Sequence, residues 1–386
     1  MSPRTLLCRR DVLSHRTLRR GVGIALASTT FATLAACSTV GASGDSQPAT
    51  SSTSVAAVAE ADAFLAPYSS TPVTWSGPTD VTGHATGKSV IFLDPAPTTD
   101  FGKQWEEATI AAGKALGWQV TNIDASKGFD DAVSQAIVLK PSVVLTAAAD
   151  SNAHRAAVDR LNKAGIVTVS SIDGGRPNIG YRHIVDLQIE LQGELAAAAA
   201  VKDRGGNAKI GLIECSGGAQ TVKLHLDGVK KYVNAHSGAT IVAEQTDACE
   251  FPTVGQNTVA FLQAHPDVNF LPVEYDGLAS AVVPAIEQAG LGDRVHVVSY
   301  EGANQNLGFI RKNEVQVADI TAAMSWVVWA AFDQANRILL GHKVDDVATD
   351  GVPIRVLTKD NLPAPNTPWN SDVDYEAHYR KIWANN

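Results

Sequence analysis

Beyond its first 36 residues the chain has no apolar run long enough to cross a bilayer, where a helical span takes about 20 consecutive apolar residues. It also lacks a G-x-S-x-G elbow, a P-loop and an H-E-x-x-H pair, and its ten histidines are scattered, so the common hydrolytic, phosphoryl-transfer and zinc chemistries have no motif to rest on. Ser216-Gly217-Gly218 only imitates a phosphate loop, and no cofactor or metal is implied. A hydrolase with dispersed acids is the one enzymatic alternative left. Basic charge is short as well: 31 Lys and Arg stand against 40 Asp and Glu, a net charge of -9. Nucleic-acid binding rests on phosphate neutralisation by Lys and Arg, so no nucleic-acid partner is expected.

The few basic residues are concentrated at the start. Arg4, Arg9, Arg10, Arg16, Arg19 and Arg20 precede a small and apolar stretch over 21–36, the layout of a secretory signal. Leu34-Ala35-Ala36-Cys37 resembles a bacterial lipobox, in which the cysteine is acylated and becomes the new N-terminus. Arg9-Arg10-Asp11-Val12-Leu13 also looks like a twin-arginine export motif. Residues 1–36 are therefore read as a lipoprotein signal peptide and Cys37 as the lipid attachment, placing the protein outside the cytoplasm on the outer face of the membrane. Loss of those six arginines and Asp11 leaves 25 basic against 39 acidic residues, a net charge of -14. A transcription regulator would carry a helix-turn-helix where this export signal stands.

Residues 37–61 are rich in Ser, Thr, Ala and Gly and poor in large apolar side chains, the composition of a flexible leash. Residues 62–87, with Pro67, Trp75 and Pro78, read as an extended arm on the first lobe. Of the four cysteines, Cys8 falls in the signal and Cys37 at the lipid site. Cys215 and Cys249 each follow an expected strand in an oxidising compartment, and form either a disulfide or two buried thiols.

From residue 88 the chain alternates short β-branched runs with helical stretches. Strands are expected over 90–93, 119–123, 143–145 and 167–169, with helices over 101–116, 129–137 and 152–164 between them. The pattern restarts at 189 and runs to 299. The prolines of Lys140-Pro141-Ser142-Val143 and His265-Pro266-Asp267-Val268, and the glycines of Ala164-Gly165-Ile166 and Ala289-Gly290-Leu291, are each 125 positions apart (141 to 266, 165 to 290). Such an offset implies two α/β lobes of one design, each a parallel sheet flanked by helices. Ligands in open α/β sheets bind beyond the carboxyl ends of the strands, so a cleft between lobes is expected. Its walls are expected over 94–102, 147–152, 171–175, 214–220, 247–251, 274–277 and 300–304, where acidic, amide and aromatic side chains recur.

Taken in order, Val169-Ser170-Ser171-Ile172-Asp173, His183-Ile184-Val185-Asp186, Gly228, Ala264-His265-Pro266-Asp267-Val268, Glu274-Tyr275-Asp276-Gly277-Leu278-Ala279 and Val298-Ser299-Tyr300-Glu301-Gly302 resemble the periplasmic sugar-binding proteins of the ribose-binding type, the solute receptors of ABC importers. The likeness runs over 88–357. It implies the type I periplasmic binding protein fold, with three hinge crossovers near Asp186, Ala323 and Gly351. It divides the chain into an N-terminal lobe (88–185 plus 323–350) and a C-terminal lobe (186–322 plus 351–386, with the tail).

The resemblance also implies ligand-binding positions. Phe101 matches a stacking aromatic, with Gly102 where a second aromatic is usual and Thr99 where an asparagine is. Asp173 matches the acid of an Asp-Arg pair whose arginine is replaced by Gly174. His225 stands where an arginine is usual, Tyr275-Asp276 replaces an Asn-Asp pair, Glu301 replaces an Asp, and Ala322 falls at a hinge glutamine. Losing both matched guanidinium forks argues against a ribose-like pentose. A polyol, an aminated sugar, a deoxysugar and a nucleoside each suit Phe101, Asp173, His225, Tyr275, Asp276 and Glu301. Trp105 and Trp326 are further candidates, each either core or ligand contact, and Asp173 and Asp276 are alternatively helix caps. The function expected is a monomeric, lipid-anchored receptor that delivers a small polar, sugar-like ligand to a membrane permease. The alternatives are a receptor for a membrane sensor, or a binder of a nucleoside or amine.

Overall fold

The computed structural model describes residues 52–149, 153–173, 180–216, 220–312 and 314–384; the signal, Cys37 and the first part of the leash lie outside them. A helix, α1 (Ser52–Ser69), comes first. The first lobe then runs β1 (Ser89–Asp94), α2 (Asp100–Leu116), β2 (Gln119–Asp124), α3 (Phe129–Leu139), β3 (Val143–Thr146), α4 (Arg155–Lys163), β4 (Val167–Ser170), β5 (His183–Val185). The second lobe runs α5 (Ile189–Asp203), β6 (Ala208–Cys215), α6 (Gln220–Ala235), β7 (Ala239–Asp247), α7 (Val254–Ala264), β8 (Phe270–Pro272), α8 (Asp276–Gln288), β9 (His296–Tyr300), α9 (Asn304–Lys312), β10 (Gln316–Ala322). After these, α10 (Met324–Leu339) and β11 (Val347–Ala348) return to the first lobe, β12 (Ile354–Thr358) to the second, and α11 (Tyr375–Ile382) closes the chain.

The first sheet has the order β11-β5-β4-β3-β1-β2 and is parallel throughout. The second has the order β12-β10-β9-β8-β6-β7, with β12 antiparallel to β10. Setting β1 to β5 against β6 to β10 gives one topology twice. The repeat legible in the sequence reappears in detail: Pro141 leads into β3 and Pro266 into β8. Gly165 and Ile166 donate to the Asn162 and Leu161 carbonyls as α4 ends, and Gly290 and Leu291 do the same to Glu287 and Ile286 as α8 ends.

Strands buried on both faces need apolar side chains at every position, which explains the unbroken runs. In β1, Val90 and Phe92 face one core with Trp105 and Trp329, while Ile91 and Leu93 face the other with Val133 and Leu161. In the second lobe Val298 packs with α5, and Val297 with α7 and α8.

Two expected boundaries fail. The leash drawn to residue 61 gives way to α1 at Ser52, in which Ala57, Ala61 and Leu65 form a buried i, i+4, i+8 stripe against the alanine-rich α5. Alanine is the best helix former, and small side chains let two helices approach closely; composition alone reads such a stripe as solvent-exposed linker. Asp62 pairs with Lys202 at 2.8 Å, and the Phe64 ring meets Tyr232 edge-on at 5.3 Å. The tail, drawn with the second lobe, crosses back to the first, where α11 packs on α10 and α2. Tyr375, Tyr379 and Trp383 make an aromatic stripe on Trp326 and Trp329. The arm reaches the same place, with Trp75 stacked on Trp326 at 5.0 Å and on His378 at 4.4 Å. Arm and tail thus add two lobe-to-lobe passages to the three that run through Asp186, Ala323 and Gly351.

Candidate functional site

The carboxyl ends of both sheets open onto one cleft of about 970 Å³, lined from both lobes. Each of the seven segments expected in its walls supplies at least one lining residue. Leu187 and Met324, beside two of the crossovers, form part of the lining where the lobes meet.

On the first lobe, Asp94 accepts a hydrogen bond from the Ala96 amide at 2.9 Å, turning the chain sharply after β1. Thr99 caps α2 by accepting from the Gly102 amide at 3.1 Å. A Cβ at Gly102 would lie 2.1 Å from the Ala96 carbonyl oxygen, so the folded-back loop leaves no space for a second aromatic there. Phe101 lines the cleft, backed by Trp105 in a stack at 4.5 Å. Trp105 itself is fully buried and donates its indole N–H to Ser171 at 3.0 Å. Trp326 is equally buried and donates to the Tyr379 hydroxyl at 3.2 Å. Neither tryptophan enters the cleft: each sits on the inward face of its helix, a direction that ring chemistry alone does not reveal. Asp173 is buried one position past the lining residue Ile172, outside the described lining.

The second lobe supplies most of the polar wall. Helices α5 and α6 cross so closely that a Cβ at Gly228 would lie 1.9 Å from the Glu190 carbonyl oxygen and one at Gly193 2.0 Å from that of His225. This crossing seats His225 in the cleft, its ring stacked on Tyr300 at 3.6 Å and 8°. Burial drives His225 down to about 3, offset in part by the Glu274 main chain, so the imidazole is neutral at physiological pH. Among the described residues, neither the Tyr300 hydroxyl nor the two carboxylate oxygens of Glu274 have a hydrogen-bond partner. Glu274 is 4% exposed and Tyr300 2%, and both line the cleft. Burial, then the Glu214 charge, raises Glu274 well above the ordinary carboxyl range.

Asp276 and Glu301 also line the cleft but differ in kind. Asp276 accepts from the Ser299 hydroxyl and, at 2.6 Å, from the Ala303 amide, and so braces the loop after β9. Beneath it Asp319 accepts from the Gly302 amide at 2.8 Å. Burial and the Asp319 carboxylate push Asp276 well above its ordinary range. Glu301 holds a backbone φ of 106°, a region side chains rarely adopt, and burial with Asp319 raises it to about 8. Tyr275 is half-buried in the same wall, its hydroxyl raised by burial, then by Glu301 and Glu274. Cys215 and Cys249 form a disulfide, Cα atoms 5.4 Å apart, that joins the end of β6 to the loop after β7 in the cleft wall.

The structure therefore gathers Phe101, His225, Tyr275, Asp276 and Glu301 and leaves out Trp105, Trp326 and Asp173. Sequence reasoning passed over Glu274 and Tyr300. Both lie inside segments expected to line the cleft, at the carboxyl ends of β8 and β9, and that position was the available signal.

A family model described as periplasmic binding protein domain matches residues 90–343. The ribose import binding protein RbsB of Salmonella typhimurium is 25% identical over 203 residues, 52% of this chain and 67% of the relative. Among solved structures, GanP, a glucose-galactose binding protein from Geobacillus stearothermophilus, aligns with a TM-score of 0.65 at 19% identity over 72% of this chain and 100% of its own. An ABC transporter periplasmic solute binding protein from Actinobacillus succinogenes with bound D-allose aligns with a TM-score of 0.64 at 19% identity, over 71% of this chain and 98% of its own. At that identity the two structural likenesses speak for the fold alone.

Proposed function

This chain belongs to the periplasmic binding protein domain family, and on that premise we propose that it is an extracytoplasmic receptor that binds a small polar, sugar-like ligand between its lobes and delivers it to an ABC permease. The observation that carries the reading is the set of buried polar atoms on Glu274 and Tyr300, in the interlobe cleft, that have no partner among the described residues. Leaving such atoms without hydrogen bonds costs about 1–3 kcal/mol each, so they favour a ligand with several hydroxyl or amino groups. Phe101 on the opposite lobe offers a ring face for the apolar side of a sugar. Contacts to both lobes favour the closed form, and hinge closure through the crossovers near Asp186, Ala323 and Gly351 presents it to the permease. Catalysis has no part in this role.

Export by the signal over 1–36, attachment through a lipid on Cys37 and action as a monomer complete the proposal. No helix among the described residues is long and apolar enough to cross a membrane. Thermal denaturation against sugars, polyols, nucleosides and amino acids tests it. A ligand at one hundred times its Kd adds about 2.7 kcal/mol to stability, so the correct class raises the midpoint. A shift with a nucleoside or amino acid and none with any sugar or polyol would overturn the carbohydrate assignment and leave the receptor fold.

A further inference from the structure

We propose that the ligand carries a protonated amine, an amino sugar being the class that satisfies both this inference and the sugar-receptor reading on which it rests. Five acidic side chains line the cleft among the described residues: Asp100, Glu107, Glu274, Asp276 and Glu301. Against them stand one lysine, Lys103, on the exposed first turn of α2, and His225. Acid alone marks solvated surface as often as a site, but Glu274 is buried in the wall, and neither of its carboxylate oxygens has a partner among the described residues.

Three neighbours define the surroundings of Glu274. Tyr275 follows it directly in the chain, and Tyr300 lines the same wall of the cleft. His225 covers the Tyr300 ring and brings no positive charge. A carboxylate taken out of water without a countercharge is costly, and no described cation sits beside this one.

A neutral sugar leaves Glu274 in the protonated, uncharged form that burial favours. An ammonium group supplies the countercharge that stabilises the ionised carboxylate, together with three donors. The carboxyl set thus distinguishes amine from hydroxyl at one position of the ligand.

The test is calorimetric titration of the protein with matched sets: glucose, glucosamine and N-acetylglucosamine, with the galactose and mannose equivalents. The expected result is an amino sugar bound about tenfold or more tighter than both its hydroxyl and its acetylated counterpart. Glu274→Gln, which keeps the shape and removes the charge, should abolish that preference while the protein stays folded by its melting profile. A neutral or acetylated sugar bound as tightly as its amino partner overturns the amine inference and leaves the sugar receptor standing. Selectivity that persists in the Glu274→Gln protein overturns the role of Glu274. Absence of binding by every sugar, amino or neutral, overturns this inference and the sugar reading together.

Discussion

Removing the bridge between Cys215 and Cys249 is expected to weaken the protein in an amount that chain statistics set. The two cysteines are 34 positions apart, and closing a loop of that size removes about 12.6 cal/mol/K from the unfolded chain, or about 3.8 kcal/mol at 25 °C. The site should suffer too, because both cysteines line the cleft and the bridge joins the end of β6 to the loop after β7. Cys215→Ser with Cys249→Ser, unfolded in denaturant beside the oxidised parent, measures the first effect; titration with the sugar that raises the parent's midpoint measures the second. The reasoning predicts an unfolding free energy lower by about 3–4 kcal/mol and weaker binding in the folded state. A double variant that unfolds at the parent's midpoint, or binds with the parent's affinity, would refute it.

Phe101→Ala should lower affinity for the bound sugar about five- to tenfold in calorimetry, the worth of one ring face, with a folded near-UV spectrum retained. Trp326→Ala should cost about 3–5 kcal/mol in denaturant unfolding, because this side chain joins Trp75 of the arm to Tyr375 and Tyr379 of the tail. Glu274→Gln should raise the melting midpoint of the ligand-free protein at pH 8 and leave it unchanged at pH 4. The sign follows from Glu274 lying above its ordinary value, mainly through burial and then Glu214: the folded state holds this proton more tightly than the unfolded, so stability falls as pH climbs from the ordinary carboxyl range, and glutamine escapes that loss. Among the groups facing it, His225 is neutral, and Tyr275 and Tyr300 are raised above the ordinary tyrosine value.

The two-lobed architecture was legible because buried parallel strands impose unbroken β-branched runs, and because the duplicated Pro141/Pro266 and Gly165/Gly290 joints sit at equal offsets. Helix α1 was not: Ala57 and Ala61 bury almost no apolar area each, and only the facing alanines of α5 turn them into a packing surface. The cleft was legible as a set of segments, since strand ends fix where loops go. Which residue of each segment points inward was not. Asp276 looked like the binding acid, yet Ser299 and the Ala303 amide satisfy it, while its neighbour Glu274 carries the open lone pairs. Trp105 and Trp326 stood open between core and ligand contact because α2 and α10 each offer two faces and the sequence does not say which one the sheet covers; both side chains are core.

The central claim is that a small polar ligand closes two lobes over one cleft. Small-angle X-ray scattering of the purified protein, with and without a saturating amount of the sugar identified by thermal denaturation, tests it most directly. The account predicts a smaller radius of gyration with sugar bound, reached in a saturable way at the calorimetric Kd. Saturable binding with an unchanged scattering profile would contradict it.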